Sequence, residues 1–290
     1  SEEANALAER HRASISQHYD CTASMHVVLG RMYTEDERFT AHYDRRSEGL
    51  AAWLREVIEE SRRILGMPEG WVLDIVPASD TGAVEMAMWT MLGARPVEML
   101  AWESFGEGWV TDVVKQLKLD ATVRKAPYGQ IVDFAQVDFD SDVVFTWNGT
   151  TSGVRVPNGD AIPADRAGLT ICDATSAAFA MELPWDKLDV VTFSFQKALG
   201  GEAGIGVMAL SPRAVERLDG YRPERPIPKV LRIADGNGFD RSLADGVAIN
   251  TFSILTIEDW IDALGWAKSI GGLRELIRRT DANYAALAEW

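Results

Sequence analysis

The chain has 290 residues, 47% hydrophobic and 25% charged, with a formal net charge of −15 at pH 7. This composition is typical of one large or two smaller globular domains, and the acidic balance argues against nucleic acid and anionic membranes as partners. No apolar run approaches the roughly 20 residues of a membrane span, and no signal peptide is visible. With only two cysteines, we expect a cytoplasmic protein without a disulfide framework.

The histidines are confined to the first 42 residues, at His11, His18, His26 and His42. The body of the chain therefore cannot supply the histidine of a Ser-His-Asp or Cys-His hydrolase. His11 and His18 could share a helix face, but no cysteine or carboxylate cluster completes a metal site with them. We therefore predict no metal.

The hydrophobic pattern divides the chain into an N-terminal arm, a region of alternating strands and helices, and a helical region at the end. Residues 1–45 are polar and irregular and predict an atypical N-terminal arm, and an amphipathic pattern over 50–65 predicts a helix. Apolar runs then alternate with helical patterns, and from residue 255 onward the pattern is helical. The predicted strands are 72–76, 97–101, 143–147, 169–172, 190–195 and 205–210, and the predicted helices between them are 83–92 and 109–119.

The strands are short, nearly continuous apolar runs, as expected for a parallel sheet covered on both faces. Their alternation with helices predicts an α/β doubly wound domain. In such sheets ligands bind beyond the carboxyl ends of the strands, so the residues that follow each strand are the candidates for chemistry.

Small polar residues follow the first strand, where Ser79, Asp80 and Thr81 precede a helix. They could form an anion cup at the helix N-terminus, or serve only as a helix cap. Asp173 follows the strand 169–172. Its carboxylate could keep a pyridine nitrogen protonated, or cap the next helix.

Lys197 follows the strand 190–195 and precedes Gly200 and Gly201. Lysine forms Schiff bases with carbonyl cofactors, although a surface lysine is the alternative. Trp109 could stack on a flat cofactor or belong to the core. The polar segment 148–153 could hydrogen-bond a ring or form a tight turn. Together these groups favour pyridoxal 5′-phosphate (PLP) as cofactor.

One glycine pattern points elsewhere. The segment 204–209, Gly-Ile-Gly-Val-Met-Ala, fits a dinucleotide-binding fingerprint. It lies inside a predicted strand, with no strand before it and no helix opening from it, so we reject a dinucleotide site.

Several stretches closely resemble the phosphoserine aminotransferase family, class V aminotransferases of PLP fold type I. The resemblance runs from about Arg46 to Trp290 and is carried by segments 75–87, 101–109, 145–157 and 172–178. It implies a PLP-binding large domain over 46–255, with a mostly parallel seven-stranded sheet flanked by helices. Residues 256–290 would be a helical segment leading into a small C-terminal domain that is largely absent.

The resemblance also implies an activity. The reaction converts 3-phosphohydroxypyruvate and glutamate to O-phosphoserine and 2-oxoglutarate, in serine and also pyridoxine biosynthesis. Lys197 would bind PLP covalently and transfer the proton, and Asp173 would pair with the pyridine nitrogen. Trp109 would stack on the ring, Thr150 would hydrogen-bond the cofactor, and Gln196 would lie beside its phenolic oxygen.

Other roles follow from the same resemblance. Ser79, Asp80 and Thr81 would form the phosphate cup. The resemblance implies a homodimer whose active site is shared between subunits, because Asn250 and Thr251 would reach the cofactor phosphate of the neighbouring subunit. Arg45 and Arg46 would bind the substrate phosphate. The substrates are small molecules.

The sequence departs from the family in three places. Arg45 replaces a usual histidine, and Lys229 and Arg232 could compensate for a substrate-binding arginine that other branches carry at position 81. The chain ends before the arginine that grips the substrate carboxylate. The alternatives are therefore another class V enzyme, or a PLP-binding fragment without full turnover. A desulfurase is disfavoured, because Cys172 lies inside a predicted strand and Cys21 in the arm.

Overall fold

The structure, a computed structural model, describes residues 50–245, 249 and 252–290. In this part of the chain no helix is both long and apolar enough to cross a bilayer. The helices are α1 Leu50–Leu65, α2 Ser79–Met91, α3 Ser104–Thr111, α4 Pro212–Gly220, α5 Ile254–Ile270 and α6 Leu273–Glu289, with a π-helical turn at Asp112–Gln116 and 3-10 turns at Phe134–Gln136, Lys229–Leu231 and Arg241–Asp245. The strands are β1 Val72–Pro77, β2 Val97–Ala101, β3 Ala121–Lys125, β4 Asp142–Thr146, β5 Asn148–Gly149, β6 Val154–Arg155, β7 Thr170–Asp173, β8 Val190–Phe193, β9 Ile205–Leu210, β10 Ala234–Asp235 and β11 Gly238–Phe239.

Seven strands form one sheet in the order β1-β9-β8-β7-β4-β2-β3. The neighbours from β8 to β3 are parallel, whereas β9 runs antiparallel to both β1 and β8. The predicted α/β class, with a mostly parallel seven-stranded sheet, is confirmed. The register places Asp173 between Thr146 of β4 and Thr192 of β8. The carboxyl ends of three central strands therefore meet at one point.

The six predicted strands are all present, with ends within two residues of prediction. Within the seven-stranded sheet, the strand that the sequence did not reveal is β3. The short pairs β5–β6 and β10–β11 and the helix α4 were also not predicted. In β3 no residue is buried, and its polar side chains alternate along the sheet edge. A strand with one neighbour does not need the continuous apolar run that identifies a central strand.

Helix α2 positions the candidate site, and most of the helix is buried. Nine of its 13 residues are buried, and it packs on β1, β8 and β9. Its apolar residues, among them Met86, Met88 and Met91, join the main hydrophobic core. Because such a core is closely packed, the N-terminal end of α2 is held at a fixed position relative to the strand ends.

Buried carboxylates at the amino ends of two strands are paired with arginines. Asp142, at the start of β4, lies 2.6 Å from Nη1 of Arg217. Asp189, which precedes β8, lies 2.9 Å from Arg166 and 3.0 Å from Arg213. Both aspartates are at most 1% exposed, and ion pairing is what makes a buried charge tolerable.

Candidate functional site

A cavity of about 200 Å³ opens at the carboxyl edge of the sheet. Eight predicted site residues line it, although they come from five separate segments of the chain: Ser79, Asp80, Thr81, Trp109, Thr150, Asp173, Gln196 and Lys197. The other lining residues are Glu103, Phe105, Thr146, Asn148, Thr175 and Ser176. The expectation that the strand-end polar groups converge is thus realised in the structure.

The N-terminus of α2 forms one wall of the cavity. The residue before the helix, Ala78, has a left-handed backbone with φ of 67°, and within the described chain no side chain caps the helix there. The N–H of Ser79 donates to the carbonyl of Gly204 at 3.2 Å. The first-turn N–H groups of a helix have no intrahelical partner, so those of Asp80 and Thr81 are available to an anion.

A tight backbone contact holds this helix end. A Cβ atom at Gly206 would lie 2.1 Å from the carbonyl oxygen of Ser79, and one at Gly82 would lie 2.2 Å from the carbonyl oxygen of Pro77. Both positions therefore require glycine. The segment 204–209, which resembles a dinucleotide fingerprint, overlaps strand β9 from residue 205 onward, and Gly206 serves this packing instead.

Asp173 ends β7, and both of its carboxylate oxygens are engaged. Oδ1 accepts a hydrogen bond from the backbone N–H of Thr175 at 3.0 Å, and Oδ2 accepts one from Nε1 of Trp109 at 3.1 Å. Trp109 is 6% exposed and belongs to the core as well as to the cavity. The prediction that Trp109 opens a helix is wrong: α3 begins at Ser104, because Glu103 caps it.

Asp80 is more deeply buried than Asp173, with 5% exposure. Burial and the nearby charge of Asp173 hold the pKa of Asp80 well above its usual range. The hydroxyls of Thr175 and Thr192 are close enough to lower that pKa in part. Neither hydroxyl forms a well-aligned hydrogen bond to any described residue. Two neighbouring carboxyl groups in a poorly solvated site cannot both be ionised at low cost.

Lys197 lies four residues beyond the end of β8, in an exposed bend that faces the cavity. The adjacent Gln196 donates from Nε2 to Oγ of Ser79 at 3.3 Å and so connects this bend to the N-terminus of α2. The backbone N–H of Gly201 donates to the carbonyl of Phe195 at 3.1 Å and closes the turn. Lys197 is thus held at the mouth of the cavity, where a ligand carbonyl can approach it.

Strands β5 and β6 form a hairpin that covers one side of the cavity. The turn between them is closed by the N–H of Gly153, which donates to the carbonyl of Gly149 at 2.8 Å. Oγ1 of Thr150 lies 3.4 Å from Oγ of Ser176. The segment 148–153 is therefore both a tight turn and a source of hydroxyl groups at the cavity.

Glu103 is a site residue that sequence reasoning missed. It is 1% exposed, and its Oε1 accepts from the backbone N–H of Gly106 at 2.6 Å. Its Oε2 accepts from Oγ1 of Thr151 at 3.4 Å, and Thr151 in turn accepts from the N–H of Ser104 at 3.1 Å. Glu103 thereby joins α3, which carries Trp109, to the hairpin that carries Thr150. The signal available in the sequence was a glutamate three residues before a glycine at a helix start.

The cavity is lined by buried polar atoms that have no hydrogen-bond partner in the described chain. Those in lining residues belong to Asp80 (Oδ1), Thr146 (Oγ1), Thr175 (Oγ1) and Gln196 (Oε1). Buried polar groups are normally paired, so such a cluster indicates space for a polar ligand. No group of three or more His, Cys, Asp or Glu side chains in the described residues is arranged to hold a metal ion.

Six further positions were named from the sequence, and two of them, Lys229 and Arg232, are described and do not line this cavity. Arg45, Arg46, Asn250 and Thr251 lie outside the described residues, so their roles stay predictions. Lys229 and Arg232 are exposed on a 3-10 turn, where Nη2 of Arg232 donates to the carbonyl of Ile227 at 3.0 Å.

The fold matches solved aminotransferases. A phosphoserine aminotransferase from Cytophaga hutchinsonii superposes with a TM-score of 0.70 over 82% of this chain and 66% of its own, at 19% identity. An aspartate aminotransferase from Thermus thermophilus superposes with a TM-score of 0.65 over 79% of this chain and 64% of its own, at 20% identity. The fold is that of the PLP enzymes of fold type I.

Sequence comparison shows which enzyme of this fold class the chain is similar to. The phosphoserine aminotransferase of Methanosarcina barkeri is 56% identical over 233 residues, which are 80% of this chain and 63% of that protein. Over four fifths of its length the chain is similar in sequence to this phosphoserine aminotransferase, and it spans less than two thirds of the length of that relative.

The N-terminal segment matches a different family. The family model of the TipAS antibiotic-recognition domain matches residues 1–60. The HTH-type transcriptional activator TipA of Streptomyces coelicolor is 51% identical over 59 residues, which are 20% of this chain and 23% of that protein. The matched range contains Arg45 and Arg46, which the aminotransferase resemblance assigns to substrate phosphate. The sequence did not suggest this second similarity.

Proposed function

We propose that the chain is a PLP-dependent phosphoserine aminotransferase that transfers an amino group between glutamate and 3-phosphohydroxypyruvate. The observation that carries this proposal is the placement of Lys197, Asp173 and the N-terminus of α2 around one cavity. A lysine, a carboxylate and an anion-binding helix end are the groups that a phosphorylated pyridine aldehyde needs. When bound, PLP supplies an aldehyde that condenses with amines and a ring that accepts electrons.

The chain's own residues have distinct tasks in this proposal. The free first-turn N–H groups of α2, with the hydroxyls of Ser79 and Thr81, bind the cofactor phosphate. Asp173 Oδ2, which accepts from Nε1 of Trp109, would hold the pyridine nitrogen in its place, and the indole of Trp109 would pack on the ring. Gln196 lies beside the phenolic oxygen, and Thr150 donates its hydroxyl to the cofactor.

Lys197 Nζ is the catalytic group. Its amine would hold the cofactor covalently, with loss of water from the aldehyde, and when free it would carry the proton that the substrate carbon loses. The exposed bend at 197 gives its side chain freedom to leave and return, while Gln196 holds the neighbouring backbone to α2.

Substrate recognition and assembly are further parts of the proposal. Arg45 and Arg46 would bind the substrate phosphate, for which arginine has suitable bidentate geometry. Asn250 and Thr251 would contact the cofactor phosphate of a second copy, which makes the active enzyme a homodimer. We place it in the cytoplasm, in serine biosynthesis and also in pyridoxine biosynthesis, with no nucleic acid or membrane partner.

A half-reaction tests the activity. The PLP-loaded protein is mixed with O-phosphoserine, and the visible cofactor band is followed. We expect conversion to the pyridoxamine form with O-phosphoserine and a much slower change with serine. An equal response to serine supports another class V enzyme. A bound cofactor whose spectrum never changes supports a PLP-binding chain without turnover.

A second experiment tests Lys197. Borohydride reduction of the loaded protein should fix the cofactor to the chain, and Lys197→Ala should abolish the fixed adduct. The matched control is Lys187→Ala, at a lysine outside the residues that line the cavity in the described chain. An adduct that persists in the Lys197→Ala variant would overturn the assignment.

A second candidate function concerns residues 1–60 alone. Because they match an antibiotic-recognition domain, we propose that this segment binds an antibiotic. Calorimetric titration of the full chain with the antibiotic that TipA recognises tests this. Heat of binding that is lost when residues 1–49 are removed supports it, and no heat in either case contradicts it.

A further inference from the structure

Four aspartates that occupy or adjoin strand ends of the sheet differ in their partners. Asp142 and Asp189, at amino ends, are each within 3.0 Å of an arginine. Asp80 and Asp173, at the carboxyl edge, form no ion pair with a lysine or arginine of the described chain, although both line the cavity. The fold pairs Asp142 and Asp189 with arginines, whereas Asp80 and Asp173 lie beside each other at the cavity without such a partner.

The two cavity aspartates are not equivalent. Asp173 is half-buried, and its carboxylate accepts two hydrogen bonds, from the backbone N–H of Thr175 and from Nε1 of Trp109. Asp80 is nine-tenths buried, and its Oδ1 has no donor among the described residues. With its burial, its unpartnered Oδ1 and a neighbouring carboxylate, Asp80 is the group that keeps a proton.

An ionised Asp80 would also oppose the proposed ligand. Its side chain leaves the first turn of α2, the helix end that is to bind a phosphate dianion. A negative charge there would repel that anion, and the low polarity of the site would strengthen the repulsion. A neutral carboxyl group leaves the helix dipole free to act on the phosphate.

We propose that Asp80 is a neutral positioning residue that shares its proton with Asp173, rather than a side-chain ligand of the phosphate. The proton on Asp80 is donated to an Asp173 oxygen, and this hydrogen bond orients the Asp173 carboxylate towards the pyridine nitrogen. The backbone N–H of Thr175 holds the other oxygen of Asp173. The backbone N–H of Asp80 remains part of the anion cup. The role towards the cofactor rests on the proposed function, whereas the shared proton does not.

Infrared spectroscopy of the protein without cofactor tests the proton directly. The difference spectrum between wild type and Asp80→Asn should contain the carbonyl stretch of a protonated carboxyl group at neutral pH. Glu107→Gln, at an exposed residue of α3, should remove only a carboxylate band. A carboxylate band for Asp80 overturns the proposal, whether or not PLP binds.

Cofactor binding tests the positioning role. Asp80→Asn keeps a neutral hydrogen-bond donor, so its Kd for PLP should remain within threefold of wild type, with the same ¹⁵N chemical shift for the ring nitrogen. Asp80→Ala should bind at least tenfold more weakly, with a shifted ¹⁵N signal. If Asp80→Ala does not fold, Asp80→Asn still decides: a tenfold loss there would show that the charge is needed and contradict the proposal. If wild type itself fails to bind PLP while the protonated band is present, the proposed function fails and the shared proton stands.

Discussion

The carbonyl oxygen of Ser79 lies only 2.1 Å from where a Cβ atom would stand on Gly206. Strand β9 therefore touches the entry to α2 backbone to backbone, and the same contact includes the hydrogen bond from the N–H of Ser79 to the carbonyl of Gly204. The anion-binding end of the helix is fixed by main-chain contacts that no side chain could replace.

Gly206→Ala is expected to destabilise the fold by roughly 1–3 kcal/mol and to weaken PLP binding, because a backbone oxygen cannot move aside as a side chain can. Chemical unfolding and cofactor titration measure the two effects. Gly265→Ala is the control, since nothing lies within 4 Å of its Cβ position in the exposed middle of α5. It should gain about 0.5–1 kcal/mol. Equal stability of the two variants would contradict the packing argument.

Trp109 can be tested by separating its indole N–H from its ring. Trp109→Phe keeps an aromatic ring and removes the donor to Asp173 Oδ2, which a bound pyridine nitrogen would displace in any case. We expect a Kd for PLP within about threefold of wild type for Trp109→Phe, and at least about tenfold weaker binding for Trp109→Ala, which loses the ring contact worth about 1.4 kcal/mol or more. If the phenylalanine variant binds as poorly as the alanine variant, the N–H group is what matters.

The ion pair between Arg217 and Asp142 should be important for stability. Arg217→Met leaves Asp142 as a fully buried charge without its partner, so we expect a loss of about 3–5 kcal/mol in the free energy of unfolding. Arg241→Met provides the comparison: Arg241 pairs with Asp219 on the surface, so its removal should destabilise the fold far less. Urea unfolding of both variants gives the two values.

The burial of the Asp74 carboxyl group predicts that the stability of the fold depends on pH. It lies in β1 with 1% exposure, and burial raises its pKa to about 8. In the unfolded chain its carboxyl group loses its proton near pH 4, so between about pH 4 and 8 the folded state binds more protons and this group's contribution to stability falls as the pH rises.

Asp74→Asn removes this titration. The difference in unfolding free energy, variant minus wild type, should therefore increase between about pH 5 and 8, by up to about 1.4 kcal/mol per pH unit. Unfolding curves at several pH values measure this slope. Parallel profiles for the two proteins would show that Asp74 is ionised in the fold.

The residues at the strand ends could be predicted from the sequence, because parallel strands have their carboxyl ends at the same edge of the sheet. That rule sufficed to bring Asp173, Lys197 and the start of α2 together. It did not reveal Glu103, whose role depends on the hairpin at Thr151. Nor did it show that the side chain of Asp80 is buried differently from those of Ser79 and Thr81. Which of these three adjacent polar side chains points into the interior depends on the left-handed turn at Ala78. The edge strand β3 was missed because a strand with a single neighbour carries a weak apolar signal.

The pairing of β1 with β9 has a consequence for biosynthesis. Strand β1 emerges from the ribosome early, yet its single partner in the described sheet, from Ile205 to Leu210, emerges only after all the other strands of that sheet. Pairings between distant segments form slowly, because a long loop must close before any contact is gained. The contact between Ser79 and β9 is therefore formed at the end of sheet assembly. A nascent chain that has not yet reached Leu210 would expose β1 to chaperones and to other chains.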